Sequence, residues 1–273
     1  MTLTNLIGQG RTAQVYELDA HKIIKLFYHG YPQHAIENEY HISKMLYNSG
    51  LPVANAHNLI TYQARLGIVY DRIQGVTMLK NIYSKPWRYR QYAKKLAELH
   101  HHIHQETIMD SEIDSYKNKL ITDMQKIDLL DTYTIDKIIA YTQALPEGNK
   151  ICHGDFHPDN ILCNNDKHVV IDWMTATKGN PLGDVARTII LLEYVVFPHM
   201  SRISNYMVHV FGKILLNHYI KTYIQRSGVK IEDIHQWKLP VAAARLSEDL
   251  PKEENDTLIR FIQKEIKKCK IKE

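Results

Sequence analysis

Short apolar runs separated by turn residues open the chain, and longer stretches with a helical apolar period follow. Residues 3–8, 13–18 and 22–27 are brief strand-like segments divided by Gly10-Arg11-Thr12 and Asp19-Ala20-His21, a rhythm that predicts antiparallel pairing. A helix is predicted over residues 33–49, opening after Pro32 and closing at Gly50, with Pro52 just beyond. Strands at 58–62 and 66–71 complete a small sheet, and Gly75 marks a change of character. From Trp87 the pattern is mainly helical. Tyr92, Leu96, Leu99 and Ile103 recur at helical spacing, and similar stripes lie in residues 113–127, 135–145, 185–196 and 206–223. Strand-like runs interrupt it at 150–153, 161–163 and 169–172. The fold expected is α+β: an N-terminal lobe over residues 1–74, with a small antiparallel sheet and one helix, joined near residues 72–75 to a larger, mainly helical lobe over 75–273. Ligand sites favour the interface of two such lobes.

Composition narrows the function classes. At 273 residues, 44% hydrophobic and 23% charged, the chain has the make-up of an ordinary globular protein that can bury a sizeable core. It carries no apolar run of membrane-spanning length, and its first residues lack the basic and apolar segments of a signal peptide, so no membrane partner is expected. Cys152, Cys163 and Cys269 are too scattered for a disulfide framework or a zinc site, which fits a reducing cytoplasm. Part of the net charge of +4 sits in Lys264, Lys267, Lys268, Lys270 and Lys272, where lysines complement a helix end. Without interleaved aromatics the run does not read as a nucleic-acid surface. His100-His101-His102-Ile103-His104 looks like a metal tract, yet only His100 and His104 share a helical face, and the bland reading is preferred.

The chemistry concentrates in His153-Gly154-Asp155-Phe156-His157-Pro158-Asp159-Asn160 and in the apolar run Val169-Val170-Ile171 that ends at Asp172. An Asp, an Asn five positions on and a second Asp closing a buried strand match what phosphoryl transfer from a nucleotide requires: one group for the acceptor hydroxyl and two oxygen ligands for Mg²⁺. Taken singly, Asp172 would cap a turn and Asn160 would make an Asx-turn; the spacing of the three is what carries the reading. Gly8 and Gly10 lie between two strands, where backbone amides can approach phosphate oxygens or simply form a turn. Lys25 sits inside the apolar segment Ile23-Ile24-Lys25-Leu26-Phe27, either as an exposed strand position or as a lysine aimed at phosphates and held by a carboxylate. Glu39 is the better partner than Glu37, because Ile36, Ile42 and Leu46 share its helical face whereas Glu37 shares one with Gln33, His41 and Lys44. Asp184 reads equally as a helix cap and as a brace for the catalytic loop.

Residues 153–162, Ile171-Asp172-Trp173 and Gly179-Asn180-Pro181-Leu182-Gly183-Asp184-Val185-Ala186 resemble the signature of the aminoglycoside phosphotransferase and choline kinase-like family. Residues 8–15, Lys25, Glu39, Gly75 and Leu96-Ala97-Glu98-Leu99-His100 resemble its further landmarks. The resemblance implies a bilobal protein kinase-like fold that uses ATP or GTP with Mg²⁺ to phosphorylate a hydroxyl of a small molecule. By position it makes Asp155 the catalytic base, Asn160 and Asp172 the metal ligands, and Lys25 with Glu39 the phosphate-positioning pair. Gly8 and Gly10 would approach the phosphates, the hinge segment Tyr70-Asp71-Arg72-Ile73 would offer backbone groups to the purine, and His153 and Asp184 would support the loop from behind. Trp173-Met174 follows Asp172 where protein kinases carry Phe-Gly, and no Ala-Pro-Glu segment ends an activation loop, which argues against a protein substrate. The alternatives are a protein or peptide kinase of the same superfamily and a silent nucleotide-binding regulator. The lysine-rich end argues against a polycationic acceptor, while Glu193, Glu248, Asp249, Tyr194 and Trp237 remain available to an acceptor pocket.

Overall fold

The computed structural model describes Leu3, residues 5–109, 113–165 and 167–194, Val196 and residues 201–268, with backbone alone at 202–205. Lys270, Lys272 and Cys269 of the expected basic tail lie outside the described residues. In chain order the elements are β1 (Leu6–Gln9), β2 (Ala13–Glu17), β3 (Lys22–Phe27), α1 (Gln33–Asn48), β4 (Ala56–Tyr62), β5 (Arg65–Asp71), β6 (Val76–Thr77), α2 (Met78–Ser84), α3 (Tyr89–Ile103), α4 (Tyr116–Met124) and α5 (Thr132–Ala144). They continue with β7 (Lys150–Cys152), β8 (Ile161–Asn164), β9 (Lys167–Val170), β10 (Thr177–Gly179), α6 (Pro181–Tyr194), α7 (Arg202–Ser227), α8 (Ile231–Gln236), α9 (Lys238–Arg245) and α10 (Lys252–Lys268). The fold is α+β. The chain forms two compact units, Met1–Pro86 with Pro158–Ala176, and Trp87–His157 with Thr177–Glu273.

The first unit is built on an antiparallel sheet of order β1-β2-β3-β5-β4, in which Lys25 of β3 lies opposite Val15 of β2 and Ile68 of β5. Ala13, Phe27, Ile36, Ala54, Ala56, Ile68 and Tyr70 form its buried cluster. Helix α1 turns Ile36, Glu39, Ile42, Ser43 and Leu46 inward, a stripe at helical spacing that includes one charged residue. It stops because Gly50 adopts φ +84°, a left-handed conformation that lets the Leu51 amide bond back to Leu46 O at 3.1 Å. The hairpin of β8 and β9 joins this unit through pairing of β6 with β8 and a bond of 2.7 Å from the Val170 amide to Pro52 O. The segment carrying Asn160 and Asp172 therefore groups with the sheet that carries Lys25.

The second unit is mainly helical, with α3 packed along α7 and α6 against α7 and α9. Its buried aromatics include Tyr219, Tyr223, Phe156 and Trp237. The apolar periods predict α3 to α7, but α8, α9 and α10 go beyond that reading. In α10 only Leu258 and Ile262 are buried apolar positions, a stripe too short to stand out among charges. Helix α6 starts at Pro181, four residues before the apolar stripe predicted, because Asn180 Oδ1 accepts from the Leu182 amide at 3.0 Å and proline suits a first helical turn. The strand expected at 150–153 has an unforeseen partner in β10. Among the described residues no helix is long and apolar enough to cross a membrane.

Gly75 has φ +148°, and a Cβ there would run into the carbonyl oxygen of Cys163 on β8. Gly75→Ala should therefore cost about 1–3 kcal/mol of stability through backbone strain and the clash. Equilibrium urea unfolding reads this, and a variant as stable as the parent would contradict the close approach.

Candidate functional site

In the first unit, the alternation of β3 buries Ile24 and Leu26 on one face and turns Lys25 to the other, toward α1. Its Nζ donates to Glu39 Oε1 at 2.7 Å, Glu39 Oε2 at 2.9 Å and Asp172 Oδ1 at 2.7 Å. Glu39 is 1% exposed, Lys25 14% and Asp172 39%, so the set runs from the interior to an accessible carboxylate. Glu37 instead accepts from Gln33 on the outer face of α1. Burial works against the Lys25 charge, but Glu39 and Asp172 outweigh it and hold the ammonium above the usual lysine range. Burial pushes the Glu39 carboxyl up, with Lys25 pulling it back. Asp172 adopts φ +67° between β9 and a turn of 3₁₀ helix at Trp173–Thr175, a left-handed conformation uncommon for a residue with a side chain. Asn160, buried at the start of β8, accepts from the Ile171 amide through its own carbonyl at 3.0 Å, so the two residues read as metal ligands are tied within one hairpin.

In the second unit, Asp155 follows Gly154, whose φ of +78° turns the loop sharply. The loop is pinned from beneath by Asp184: its Oδ2 accepts from the His153 amide at 2.5 Å and its Oδ1 from the Gly154 amide at 2.8 Å. Two histidines one turn apart, His100 on α3 and His104 at its C-terminal cap, reach the same Oδ2 with Nε2 at 3.0 Å and 3.2 Å. An ionised carboxylate only accepts, so both Nε2 atoms donate to it; the neutral His100 accepts at Nδ1 from the Tyr219 hydroxyl, and His104 Nδ1 meets the Tyr223 hydroxyl, at 2.7 Å each. All five side chains are buried, and three of them, His100, His104 and Asp184, have the spacing of a cation site. Every one of the contacts is accounted for by a donor meeting an acceptor, so the cluster reads as a hydrogen-bond hub. The cap of α6 is Asn180, which frees Asp184 in the first turn for this task.

Asp155 is flanked by an imidazole and a guanidinium. His157 Nε2 lies 3.3 Å from Oδ2 and the Arg187 guanidinium 3.7 Å from Oδ1. Burial alone would raise the carboxyl, but His157, Arg187 and His153 hold it well below the usual carboxylate range. Arg187 also donates to Gly154 O at 3.2 Å and pairs with Glu248 at 2.7 Å; Glu248 in turn meets Arg245, which pairs with the buried Glu254. His153 Nδ1 accepts from the Asp155 amide at 3.2 Å. The sequence reading named His153 and Asp184 but missed Arg187, Tyr219 and Tyr223. Only the repeat of tyrosines four residues apart on α7, matching that of His100 and His104, could have pointed to the last two.

Gly8 and Gly10 border the β1–β2 turn, where the Gly10 amide bonds to Ala13 O at 2.9 Å. A Cβ at either position would meet only ordinary contacts, so the turn itself does not demand glycine. At the end of β5 the Asp71 carboxylate is taken by His57 Nε2 at 2.7 Å, and the Asp71 and Arg72 amides are bonded to Asn55 O and His21 O. Ile73 packs half-buried on the core of the first unit.

The profile of the phosphotransferase enzyme family matches residues 4–201. Among solved structures, the streptomycin–ATP–APH(2")-IIa ternary complex is similar at a TM-score of 0.62 and 15% identity, over 96% of this chain and 92% of the other. Choline kinase from Cryptosporidium parvum Iowa II is similar at a TM-score of 0.59 and 14% identity, over 98% and 90% of the two chains. At such identities the likeness is one of kinase-like fold. Acyl-CoA dehydrogenase family member 10 of Mus musculus is 26% identical over 235 residues, which are 77% of this chain but 21% of that protein. The chain thus matches about a fifth of the curated relative.

The hub around Asp184 makes a pH prediction. Burial, with the His104 ring adding to it, pushes His100 down to about 3, so the folded protein keeps this ring neutral while an unfolded histidine binds a proton near 6.5. Between those values the unfolded chain holds more protons, and stability falls as pH drops through the window, by up to about 1.4 kcal/mol per pH unit for this group. Thermal unfolding between pH 7.5 and 4.5 should show a shallower loss for His100→Gln than for the parent. Parallel slopes would contradict a buried neutral His100.

Proposed function

Because the chain belongs to the phosphotransferase enzyme family, we propose that it transfers the terminal phosphoryl group of ATP or GTP, with Mg²⁺, to a hydroxyl of a small molecule. The observation that carries the reading is Lys25 held between a buried Glu39 and an accessible Asp172 that sits in a left-handed backbone conformation. An ammonium so fixed is a preorganised partner for phosphate oxygens, and the protein can keep it charged in a poorly hydrated setting. Asn160 and Asp172 would hold Mg²⁺: an amide and a carboxylate, both oxygen donors, suit a hard cation. When bound, the ion neutralises charge that develops on the phosphoryl oxygens. Gly8 and Gly10 leave room for backbone approach, which the turn alone does not explain. Asp71 and Ile73 would meet the purine through the backbone, since the Asp71 side chain is engaged by His57.

Asp155 would accept a hydrogen bond from the acceptor hydroxyl and aim its oxygen. With His157 and Arg187 keeping it ionised, it is a weak base and a strong orienter, which suits a loose transition state in which proton transfer comes late. Buried free thiols at Cys152 and Cys163 accord with work in the reducing cytoplasm, where both nucleotide and Mg²⁺ are abundant.

Phosphorus NMR of ATP and GTP against a panel of sugar, amino-alcohol and nucleoside acceptors tests the activity, with conversion to the diphosphate and a new phosphomonoester as the expected result. Asp155→Asn should lower turnover by about 10²–10⁴-fold while nucleotide affinity stays near that of the parent. Asp172→Asn should weaken Mg²⁺-nucleotide binding itself. An Asp155→Asn protein with full turnover would remove this residue from the mechanism.

A further inference from the structure

We propose that Tyr70 is a positioning residue for Lys25: its hydroxyl fixes the Glu39 carboxylate that aims the lysine. The inference rests on the reading of Lys25 as a phosphate contact. Tyr70 is the penultimate residue of β5, opposite Ile23 of β3 and Ala56 of β4, and its side chain belongs to the buried cluster of the first unit. The phenol lies 3.1 Å from Glu39 Oε1, the same oxygen that Lys25 Nζ reaches at 2.7 Å. One turn along α1 from Glu39, Ser43 Oγ lies 3.3 Å from the phenol oxygen.

The direction of each bond follows from the chemistry. A carboxylate has no proton to give, so the phenol donates to Glu39, and Ser43 donates to the phenol oxygen. Burial and the Glu39 charge push the Tyr70 phenol well above its ordinary value, so it keeps the proton it donates. The result is a chain of Ser43, Tyr70, Glu39, Lys25 and Asp172, with its first three members buried. Glu39 is a buried carboxylate on a flexible stem, and Lys25 Nζ, which meets both its oxygens, leaves the carboxylate plane free to turn about the axis through the ammonium. The second, fixed donor at Oε1 selects one rotamer and with it one position of Nζ. Tyr70 also immediately precedes Asp71, so one side chain links the strand end proposed to meet the purine with the lysine proposed to meet the phosphates.

Calorimetric and NMR titrations of Tyr70→Phe and the parent with Mg·ATP, Mg·GTP, adenosine and guanosine test this. The expected result is a Kd for the favoured Mg²⁺-nucleotide about tenfold higher in Tyr70→Phe, the size of one buried hydrogen bond to a charged group, with nucleoside affinity within about twofold of the parent. Ser43→Ala should shift the same Kd in the same direction by less. An unchanged nucleotide Kd in Tyr70→Phe overturns the proposal. An equal loss for nucleoside and nucleotide also overturns it, since Tyr70 would then be only a wall of the purine pocket. A parent protein that binds neither nucleotide defeats the phosphate reading of Lys25 first, and the role of Tyr70 with it.

Discussion

A buried carboxylate needs a partner, and much of the first unit is arranged around that need. Glu39 lies on the inward face of α1, among Ile36, Ile42 and Leu46, where an isolated charge would cost several kcal/mol. Lys25 supplies the compensating charge from the middle strand of the sheet, so the azimuth of α1 and the register of β3 are fixed together. The third member, Asp172, binds the same ammonium from the end of the β8–β9 hairpin. Three separate pieces of chain thus meet at one nitrogen, whose three protons suit three carboxylate contacts. Such an arrangement is expensive to build for stability alone, since an apolar replacement would pack without desolvation cost. It leaves one buried, fixed ammonium beside one accessible carboxylate, the pairing on which the proposed phosphate contact rests.

The second unit answers the same problem differently. Among the described residues no lysine or arginine pairs with the buried Asp184, which is satisfied by two backbone amides and two histidine Nε2 donors. The two amides belong to the loop that presents Asp155, so the hub converts the packing of α3, α6 and α7 into a fixed loop conformation. Asp155 itself sits beside the Arg187 guanidinium and the His157 ring. One acid is thus held by hydrogen bonds in the interior, the other beside a guanidinium and an imidazole, and the proposed function assigns the substrate contact to the second.

Much of this was legible in the sequence because the relevant rules are local. The spacing of Ile36, Glu39, Ile42 and Leu46 on one helix was enough to choose Glu39 over Glu37 as the partner of Lys25, and the structure pairs them. Strand alternation and turn residues placed the sheet, apart from ends such as Ala56, where an irregularity in pairing extends β4. Long-range partners were not legible. Nothing local marks Tyr70 as a donor to Glu39, or Arg187 as the neighbour of Asp155, since each depends on pairing between segments far apart in the chain. The helices α8–α10 were missed for two reasons: α8 and α10 bury few positions among charges that dilute the period, whereas α9 buries every residue from Leu239 to Arg245 and so shows no period.

In the proposed function the Lys25, Glu39 and Asp172 set, with Asn160, is a site for a nucleoside triphosphate and Mg²⁺. The most direct measurement is thermal unfolding of the unaltered protein with ATP or GTP, each with and without Mg²⁺. At a hundred times the dissociation constant the favoured nucleotide should stabilise the fold by about 2.7 kcal/mol, and the effect should shrink when Mg²⁺ is withheld. An unfolding curve that neither nucleotide moves, with or without the ion, would contradict the account.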